Sequence, residues 1–570
     1  MWLRNSRNSH HRPRQFRPRL EALDDRCLPS GGVLDPTFGT GGIVTTSVGS
    51  QSSSRALAVA TYSNTGTAND GKIVAAGEAV TSLQRVGGTW QPDEDFAVVR
   101  YNLDGSLDKS FGGSGKVTTD LGSLYDEAFD VLVQSDGKIV AVGQVGSSSG
   151  RSLALVRYNT DGSLDTSFGG NTAKGKVITS ISKGSFDIGV ATALQTDGKI
   201  VVAGMTEPKG ATYNELFLVR YNADGTLDTS FGSGGKVTQH FASSIGSTPD
   251  FGNGVDLAID AGTGPLDPNA GKFVVEAQLS DGTAMGGGAA VVRYNRDGSL
   301  DSSFGGGAGY VTLRALGGTT TAAVAVQPDD RIVVAGDDAS APFNGSNISL
   351  ARLNANGTLD ASFGSGGIVV TPLPTQATAD VALQSDGKIV VAGVEGNSLA
   401  LSRYNPTDGS LDTSFGSNGV ATTSGVNVMA FKVAAALEPD GRIVVAGTLD
   451  HSFGFAVARF LAAGSQIGSF TASPNRVTAG SSLNLTASNI TDTNPNSTIT
   501  QVAFYVDSNN DGLLEPGADT LLGYAIQTSP GVWTITFTVN LSPGTCMLFA
   551  QAEDTYGVLG DPVSLALTIQ

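Results

Sequence analysis

Three short elements recur in register seven times along this chain, and nothing else in the sequence restricts the fold so strongly. Leu-Asp-x-x-Phe-Gly begins at Leu34, Leu107, Leu164, Leu227, Leu300, Leu359 and Leu411. A second element, typified by Asp136-Gly-Lys-Ile-Val-Ala-Val-Gly143, returns at Asp70, Asp197, Asp386 and Asp440, with degenerate forms at 271–277 and 330–336. The third, Val-Arg-Tyr-Asn, returns around Arg100, Arg157, Arg220 and Arg293, then as Arg352-Leu-Asn, Arg403-Tyr-Asn and Arg459-Phe-Leu. Self-similarity at a fixed period marks a repeat architecture, in which each unit buries its apolar surface against its neighbours.

Each unit, about 61 residues from Leu34 to Leu461, reads as four strands. Around residue 165 these are Lys176 to Ser180, Gly189 to Gln195, Lys199 to Ala203 and Leu216 to Asn222, with Asp197-Gly198 supplying a hairpin turn that needs positive φ. A four-stranded sheet apolar on both faces must stack on its neighbours. The first and last units match the rest, so the expected fold is all-β: a seven-bladed β-propeller rather than an open β-solenoid, which needs atypical capping ends. The register of the blades stays open, because a circular repeat can be cut at any strand.

Leu164-Asp-Thr-Ser-Phe-Gly169 and Gln195-Thr-Asp-Gly-Lys-Ile-Val-Val-Ala-Gly204 resemble the bacterial delta-60 repeat family. That resemblance covers about three quarters of the chain and implies a β-propeller-like fold with no established biochemical activity. After Leu461 the repeat stops, and residues 462–466 read as a small-residue linker into a module at 467–570. Alternating runs at Ser482 to Ala487, Gln501 to Val506, Thr520 to Ala525, Val532 to Val539, Cys546 to Ala552 and Val563 to Ile569 resemble an immunoglobulin-like β-sandwich of extracellular bacterial proteins. Only Cys546 lies in that module, so no inter-sheet disulfide is available to it, and the other cysteine, Cys27, lies in the N-terminal tail.

Residues 1–33 form a basic tail, with seven Arg against three acids before Ser30. Arginines interrupt any apolar core of a secretory signal, and by composition the segment reads as disordered. Arg17-Pro-Arg-Leu-Glu-Ala-Leu-Asp-Asp-Arg-Cys-Leu-Pro-Ser30 resembles the LExLExRxLxS element at the N-termini of envelope proteins in some budding bacteria, which implies export to the cell envelope or exterior. The whole chain carries a formal charge of −18, and with the tail set aside the remainder is near −22, so nucleic acid is not an expected partner. No run of 18 apolar residues offers a transmembrane segment.

The recurring Arg and Asp, such as Arg157 and Asp165, invite comparison with an anion site. Their presence in every unit argues instead for a structural pair, since an asymmetric active site needs one copy. Asn159-x-Asp161-Gly162-x-x-Asp165 likewise reads as a turn that bonds its own backbone rather than as a cation loop. A better calcium candidate is Asp507, Asn509, Asp511 and Glu515 with Asp519, the first half of a calcium loop, although Ala518 stands where the closing acid belongs. A solvated hairpin is the competing reading. The four histidines are His10, His11, His240 and His451, and no catalytic serine elbow, zinc-protease pair or phosphate loop is present.

Loops on one face of the units are repetitive, whereas the other face carries long, variable ones. Trp90, Asp93, Glu94, Asp95, Tyr213 and Glu215 on that face are the expected binding residues. The chain therefore reads as an exported, non-enzymatic binding or structural protein with no required cofactor, calcium being the one considered. Its expected partner is a surface polysaccharide or protein. The alternatives are a polysaccharide-acting hydrolase or lyase and a calcium-ordered surface assembly. Carboxylates and aromatics meeting at a central channel would favour the enzyme, and small repeat residues there would favour the scaffold.

Overall fold

The computed structural model describes residues 31–49, 53–63, 65–147, 150–211, 213–240, 250–264, 267–280, 288–316, 322–337, 346–423, 426–429, 432–450, 453–461, 465–492, 498–508, 514, 519–555, 559–560 and 562–570. The described chain is almost entirely strand, with one short helical turn at Gly170–Ala173 and a 3-10 turn at Gly305–Gly307. In the first unit Ser54–Thr61, Ile73–Val86, Thr89–Tyr101 and Lys116–Thr119 pair antiparallel in that order. In the second, Tyr125–Val133, Ile139–Ser147, Gly150–Tyr158 and Lys176–Thr179 do the same. Five more sets start from the first strands Phe186–Leu194, Asp250–Ile259, Ala322–Val326, the C-terminal part of Ile368–Leu383, and Ala434–Leu437. The last set takes its fourth strand from the N-terminal side, where Ile43–Thr46 pairs with Phe455–Phe460.

This register differs from the sequence-based grouping. Lys176–Thr179 is the outermost strand of the set before it, with Leu155 opposite Val177, and not the first strand of the set that follows. The Leu-Asp-x-x-Phe-Gly turn doubles the chain back, as the bridge between Tyr158 and Leu164 shows, so the strand after that turn pairs with the strand before it.

Packing follows the repeat. First strands of successive units lie side by side, and the seventh unit's lies beside the first unit's. An apolar cluster fills every junction, for example Val142, Leu153 and Leu155 of unit two against Ile200, Val202 and Phe217 of unit three. Val444, Ala446, Phe455 and Val457 of the last unit pack in the same way on Ala56, Val59 and Ile73 of the first. Burying these Val, Leu and Phe side chains is worth about 1.5–3 kcal/mol each, which a lone sheet cannot obtain on both faces.

One polar tie repeats through the array. Each Arg of the third element is nearly inaccessible and puts Nε on the Asp of Leu-Asp-x-x-Phe-Gly: Arg100 to Asp108 at 2.7 Å, Arg157 to Asp165 at 2.9 Å, Arg220 to Asp228 at 2.8 Å, Arg293 to Asp301 at 2.6 Å. Arg352 to Asp360 at 2.8 Å and Arg403 to Asp412 at 2.7 Å continue the series. The seventh, Arg459, reaches Asp35 at 2.9 Å, a partner 424 residues away in the chain. Each guanidinium also lies over the Phe of the same element, 4.3 Å from the ring centroid for Phe168 and 4.6 Å for Phe38. Five of them, Arg100, Arg157, Arg220, Arg293 and Arg352, also cross to the next unit, with Arg157 Nη1 donating to Ala223 O at 2.5 Å and Arg293 Nη1 to Ala355 O at 2.5 Å.

The glycine that ends the element reinforces this crossing. Gly112 N–H donates to Asp161 O, Gly169 N–H to Asp224 O, and Gly416 N–H to Gly31 O. A Cβ on Gly112, at φ 58°, would fall 2.7 Å from Lys116 O, so only glycine fits. Buried tyrosines add hydroxyl contacts between units, Tyr158 to Thr119 at 2.8 Å and Tyr221 to Thr179 at 2.7 Å.

One buried acid breaks the pattern. Glu276 stands where the other units carry Ala76, Val142, Ala203, Ala335, Ala392 and Ala446, is fully inaccessible, and leaves both carboxylate oxygens without a hydrogen-bond partner. Burial, and then the charge of Asp256 opposite it across the strands, push its carboxyl well above the usual range.

The C-terminal module has two sheets. Gln466–Ser473, Ser482–Thr491, Val532–Thr538 and Ile526–Ser529 form one; Arg476–Val477, Val563–Ile569, Gly544–Asp554, Ile499–Val506 and Thr520–Tyr524 form the other. Leu483, Leu485 and Trp533 from the first meet Phe504, Leu548 and Leu567 from the second in one core. No described helix is long and apolar enough to cross a membrane.

Two stability predictions follow from these buried charges. Asp35→Ala, which strips Arg459 of its closest carboxylate and Arg442 of another, should cost about 3–5 kcal/mol in urea unfolding. Glu276→Val should raise stability by about 1–3 kcal/mol at about pH 7, because a buried acid with a raised pKa weakens the fold as pH climbs above its unfolded value. The gain should shrink below about pH 4, where the unfolded chain is protonated too, to what the unpaired neutral carboxyl still costs.

Candidate functional site

Departures from the repeat concentrate where the first unit meets the second. The hairpin of Ile73–Val86 and Thr89–Tyr101 is far longer than its equivalents and turns through Gly87 and Gly88, both at positive φ as a tight hairpin demands. Near its tip Trp90 pairs across the strands with Arg85 and is 64 % exposed, with Leu83 and Val86 exposed nearby. At its base three acids line one strand, and the structure gives each a different setting. Asp93 accepts hydrogen bonds from Ser82 Oγ at 2.7 Å and Gln84 Nε2 at 2.8 Å, and Asp95 accepts one from Thr81 Oγ1 at 2.5 Å.

Glu94 joins Glu78 and Glu127, one carboxylate oxygen from each lying within 4.8 Å of the others. Arg55, opposite Glu78 across the strands, bonds it through Nε and approaches Glu94 at 3.8 Å. Gln144 donates to Glu127 at 2.7 Å and accepts from Arg151 Nη1 at 3.0 Å. Burial, followed by the charge of Glu127, pushes Glu78 up to about 8 against the pull of Arg55. Burial, then the hydrogen bond to Glu127, raises Glu94 to about 7. Glu78 and Glu94 are both displaced toward neutral pH by burial and by the carboxylates packed beside them. Such an arrangement can donate or accept a proton, or take a cation in place of one.

A second group lies beside it. Asp95, Asp120 and Asp126 also bring one oxygen each within 4.8 Å of one another. Asp126 accepts Leu121 N–H and Ser123 Oγ, both at 2.6 Å, and burial raises its carboxyl to about 6.

The middle of the array is built differently. The equivalent first-strand position alternates as Ala58, Asp130, Ala191, Asp256, Ala323, Asp380 and Ala434. Each aspartate there holds a backbone N–H of the next unit: Asp130 takes Thr192 at 2.6 Å, Asp256 takes Val324 at 2.7 Å and Asp380 takes Ala435 at 2.8 Å. Lys432 of the last unit reaches Phe129 O at 2.7 Å and Val190 O at 3.2 Å, in units two and three. The lining is thus a mixture of small residues and of carboxylates engaged in the backbone.

Of the residues singled out from sequence, Trp90, Asp93, Glu94 and Asp95 share one hairpin. Tyr213 and Glu215 lie in the third unit, where the Tyr213 ring sits 4.4 Å from that of His240. The two groups are separated by the second unit. In the C-terminal module Asp507 and Asp519 are buried, and Asp519 accepts the Ser508 N–H at 2.9 Å; Asn509, Asp511 and Glu515 lie outside the described residues. The turn acids behave as Asx turns, Asp161 accepting both N–H and Oγ of Ser163. Sequence reasoning missed Glu78, Glu127, Arg55 and Arg151. Glu78 occupies a position held elsewhere by Gln144, Met205, Gln278, Asp337, Val394 and Thr448, so an acid there does not by itself stand out from the repeat.

With this geometry in place, comparison with known proteins identifies the scaffold. Seven segments, residues 68–111, 134–168, 195–231, 281–304, 327–363, 384–415 and 438–466, match the family model described as "Domain of unknown function (DUF5122) beta-propeller". The chain carries β-propeller repeats. No curated protein matches it. Among solved structures it is similar to a catalytically inactive virginiamycin B lyase from Staphylococcus aureus with quinupristin, at 9 % identity and TM-score 0.38, over 74 % of this chain and 98 % of that one. It is also similar to the intramolecular trans-sialidase from Ruminococcus gnavus, at 10 % identity and TM-score 0.33, over 68 % of this chain and 92 % of that one.

The carboxylate trio makes a direct prediction. Carbon-detected NMR titration should find two glutamates ionising near 7 and 8. Glu127→Gln should move both downward by removing the repelling charge that each of them faces.

Proposed function

We propose that this chain is an exported, non-catalytic scaffold: a seven-bladed propeller of delta-60 type carrying an immunoglobulin-like sandwich, which presents the long first-unit hairpin to a surface polysaccharide or protein. One observation carries the reading. The charged groups that recur, seven Arg–Asp pairs within the units and three first-strand aspartates between them, are committed to the packing of the array. The variation is left to the hairpin face, where Trp90 stands exposed on a rigid base. Pairing of Ile43–Thr46 with Phe455–Phe460, together with the Arg459–Asp35 tie, supports closure of seven blades into one ring. Export rests on the resemblance of residues 17–30 to envelope-protein N-termini.

A second reading, a hydrolase or lyase acting on polysaccharide, is favoured by the Glu78–Glu94–Glu127 trio, in which three carboxyls lie together and burial raises Glu78 and Glu94 toward neutral pH. The two readings separate in one assay. Full-length protein is incubated with immobilised cellulose, chitin and alginate, and both bound protein and released sugar ends are measured. The scaffold reading expects retention without product, weakened about tenfold by Trp90→Ala, the loss of one aromatic anchor. Product release that Glu127→Gln abolishes would establish the enzyme, and the absence of both retention and product would turn the scaffold reading toward a protein partner.

A further inference from the structure

We propose that Asp95, Asp120 and Asp126 form a binding site for one hard divalent cation, of the calcium type, at the junction of the first and second units. Asp95 comes from the third strand of unit one, Asp120 follows its outer strand, and Asp126 opens the first strand of unit two. One oxygen from each lies within 4.8 Å of the others, a cluster of carboxylate ligands from three separate strands. Acids gathered on a surface are ordinary; the distinguishing feature here is a buried, unused ligand atom. Asp95 is 5 % exposed, and while its Oδ2 accepts the Thr81 hydroxyl, its Oδ1 is enclosed without any hydrogen-bond partner. An enclosed carboxylate oxygen with no donor is costly unless a proton or a cation satisfies it.

The repeat supplies its own control. At the next junction the same three positions are Ser152, Ser180 and Asp187. There the two serines hydrogen-bond to each other at 3.0 Å, and Asp187 is satisfied by Ile181 N–H at 2.8 Å and Thr206 Oγ1 at 2.6 Å. Asp126 repeats the structural part of that arrangement through Leu121 N–H. Asp95 and Asp120 are therefore two negative charges added to a junction that closes without them.

The nearest lysine is not a dedicated counter-ion. Lys176 Nζ donates to Asp120 O at 2.6 Å, and the same contact recurs from Lys116 to Ser47 O at 2.7 Å and from Lys236 to Ser180 O at 2.6 Å. Three carboxylates make a hard, all-oxygen donor set, suited to calcium or magnesium and poorly suited to softer metals.

The test uses the full chain freed of metal with chelator, then titrated with calcium chloride while thermal unfolding and binding heat are followed. The wild type should gain about 4 °C or more in Tm at saturating calcium. In Asp95→Ser with Asp120→Ser, which restores the neutral pair of the next junction, the gain and one equivalent of bound calcium should be lost. The metal-free variant should be at least as stable as the metal-free wild type. A wild type indifferent to both calcium and magnesium would overturn the site, as would a double variant that keeps the full shift and stoichiometry. Should the double variant fail to fold, Asp120→Asn alone decides the question, since Asp120 is exposed: lost binding heat supports the site and unchanged heat overturns it.

Discussion

A guanidinium buried over a phenyl ring, with one carboxylate beside it, is the interaction on which the repeat array depends. Removing an arginine from water costs several kcal/mol, which its own unit only partly offsets. Asp165 and Phe168 come from the same turn as Arg157, but the remaining donor is satisfied by Ala223 O in the following unit. Arg100, Arg157, Arg220, Arg293 and Arg352 thus complete their polar ties on a neighbouring unit. Arg459 instead joins the two ends of the repeat region, since Asp35 and Phe38 lie at its start and Arg459 at its end. The acids in these ties are held low. Burial works against Asp412, yet the charge of Arg403 and the hydrogen bonds from Lys388 and Ser414 bring it down to about 2, so the array weakens progressively as pH falls from the unfolded carboxylate's value of about 4 through about 2.

This part of the fold was legible because a structural role repeated in every unit writes the same residues in every unit. The Arg and Asp were separable from a catalytic pair on that ground alone, and Asp161 could be read as a turn former because Asn and Asp bond their own backbone. The register was not legible, since a circular pattern looks the same from any starting strand. It is fixed by which strand the Phe-Gly turn folds back upon, a matter of backbone direction at Gly112 and its equivalents that residue identity does not encode. The candidate site was half legible for a related reason. Glu94 and Asp95 drew attention because they stand in a long hairpin, whereas Glu78, Glu127 and Asp126 lie within regular strands and become neighbours only when units one and two stack.

Compensating changes show how closely the units constrain one another. Tyr158 and Tyr221 each meet a threonine of the preceding unit. At the equivalent positions of units five and four the pair is Leu353 and Leu313, both buried, so the hydroxyl contact has been exchanged for an apolar one on both sides at once. Tyr294 has lost its threonine, since Gln239 occupies that position, and its hydroxyl is left buried without a partner. An exchange on both sides keeps a junction satisfied, and an exchange on one side leaves an atom orphaned.

That distinction gives a physical criterion for locating function in a repeat protein. Sister units record what a position needs for folding alone: Ser152 and Ser180 at the next junction, Ala or Val at the site of Glu276. A charged residue buried at such a position adds a desolvation cost. Glu276, Glu78 and Asp95 differ in what surrounds them. Glu276 is sealed inside the core with only Asp256 as a charged neighbour, so it burdens stability and faces no ligand. Glu78 has two further glutamates and Arg55 within reach, and Asp95 has two further aspartates with one oxygen still unclaimed. Both of these lie at the junction from which the long hairpin carrying Trp90 rises. The recurring ties hold the strands that carry Glu78, Asp95 and Asp126 in register, and a carboxylate cluster keeps its geometry only while its members are kept from moving apart.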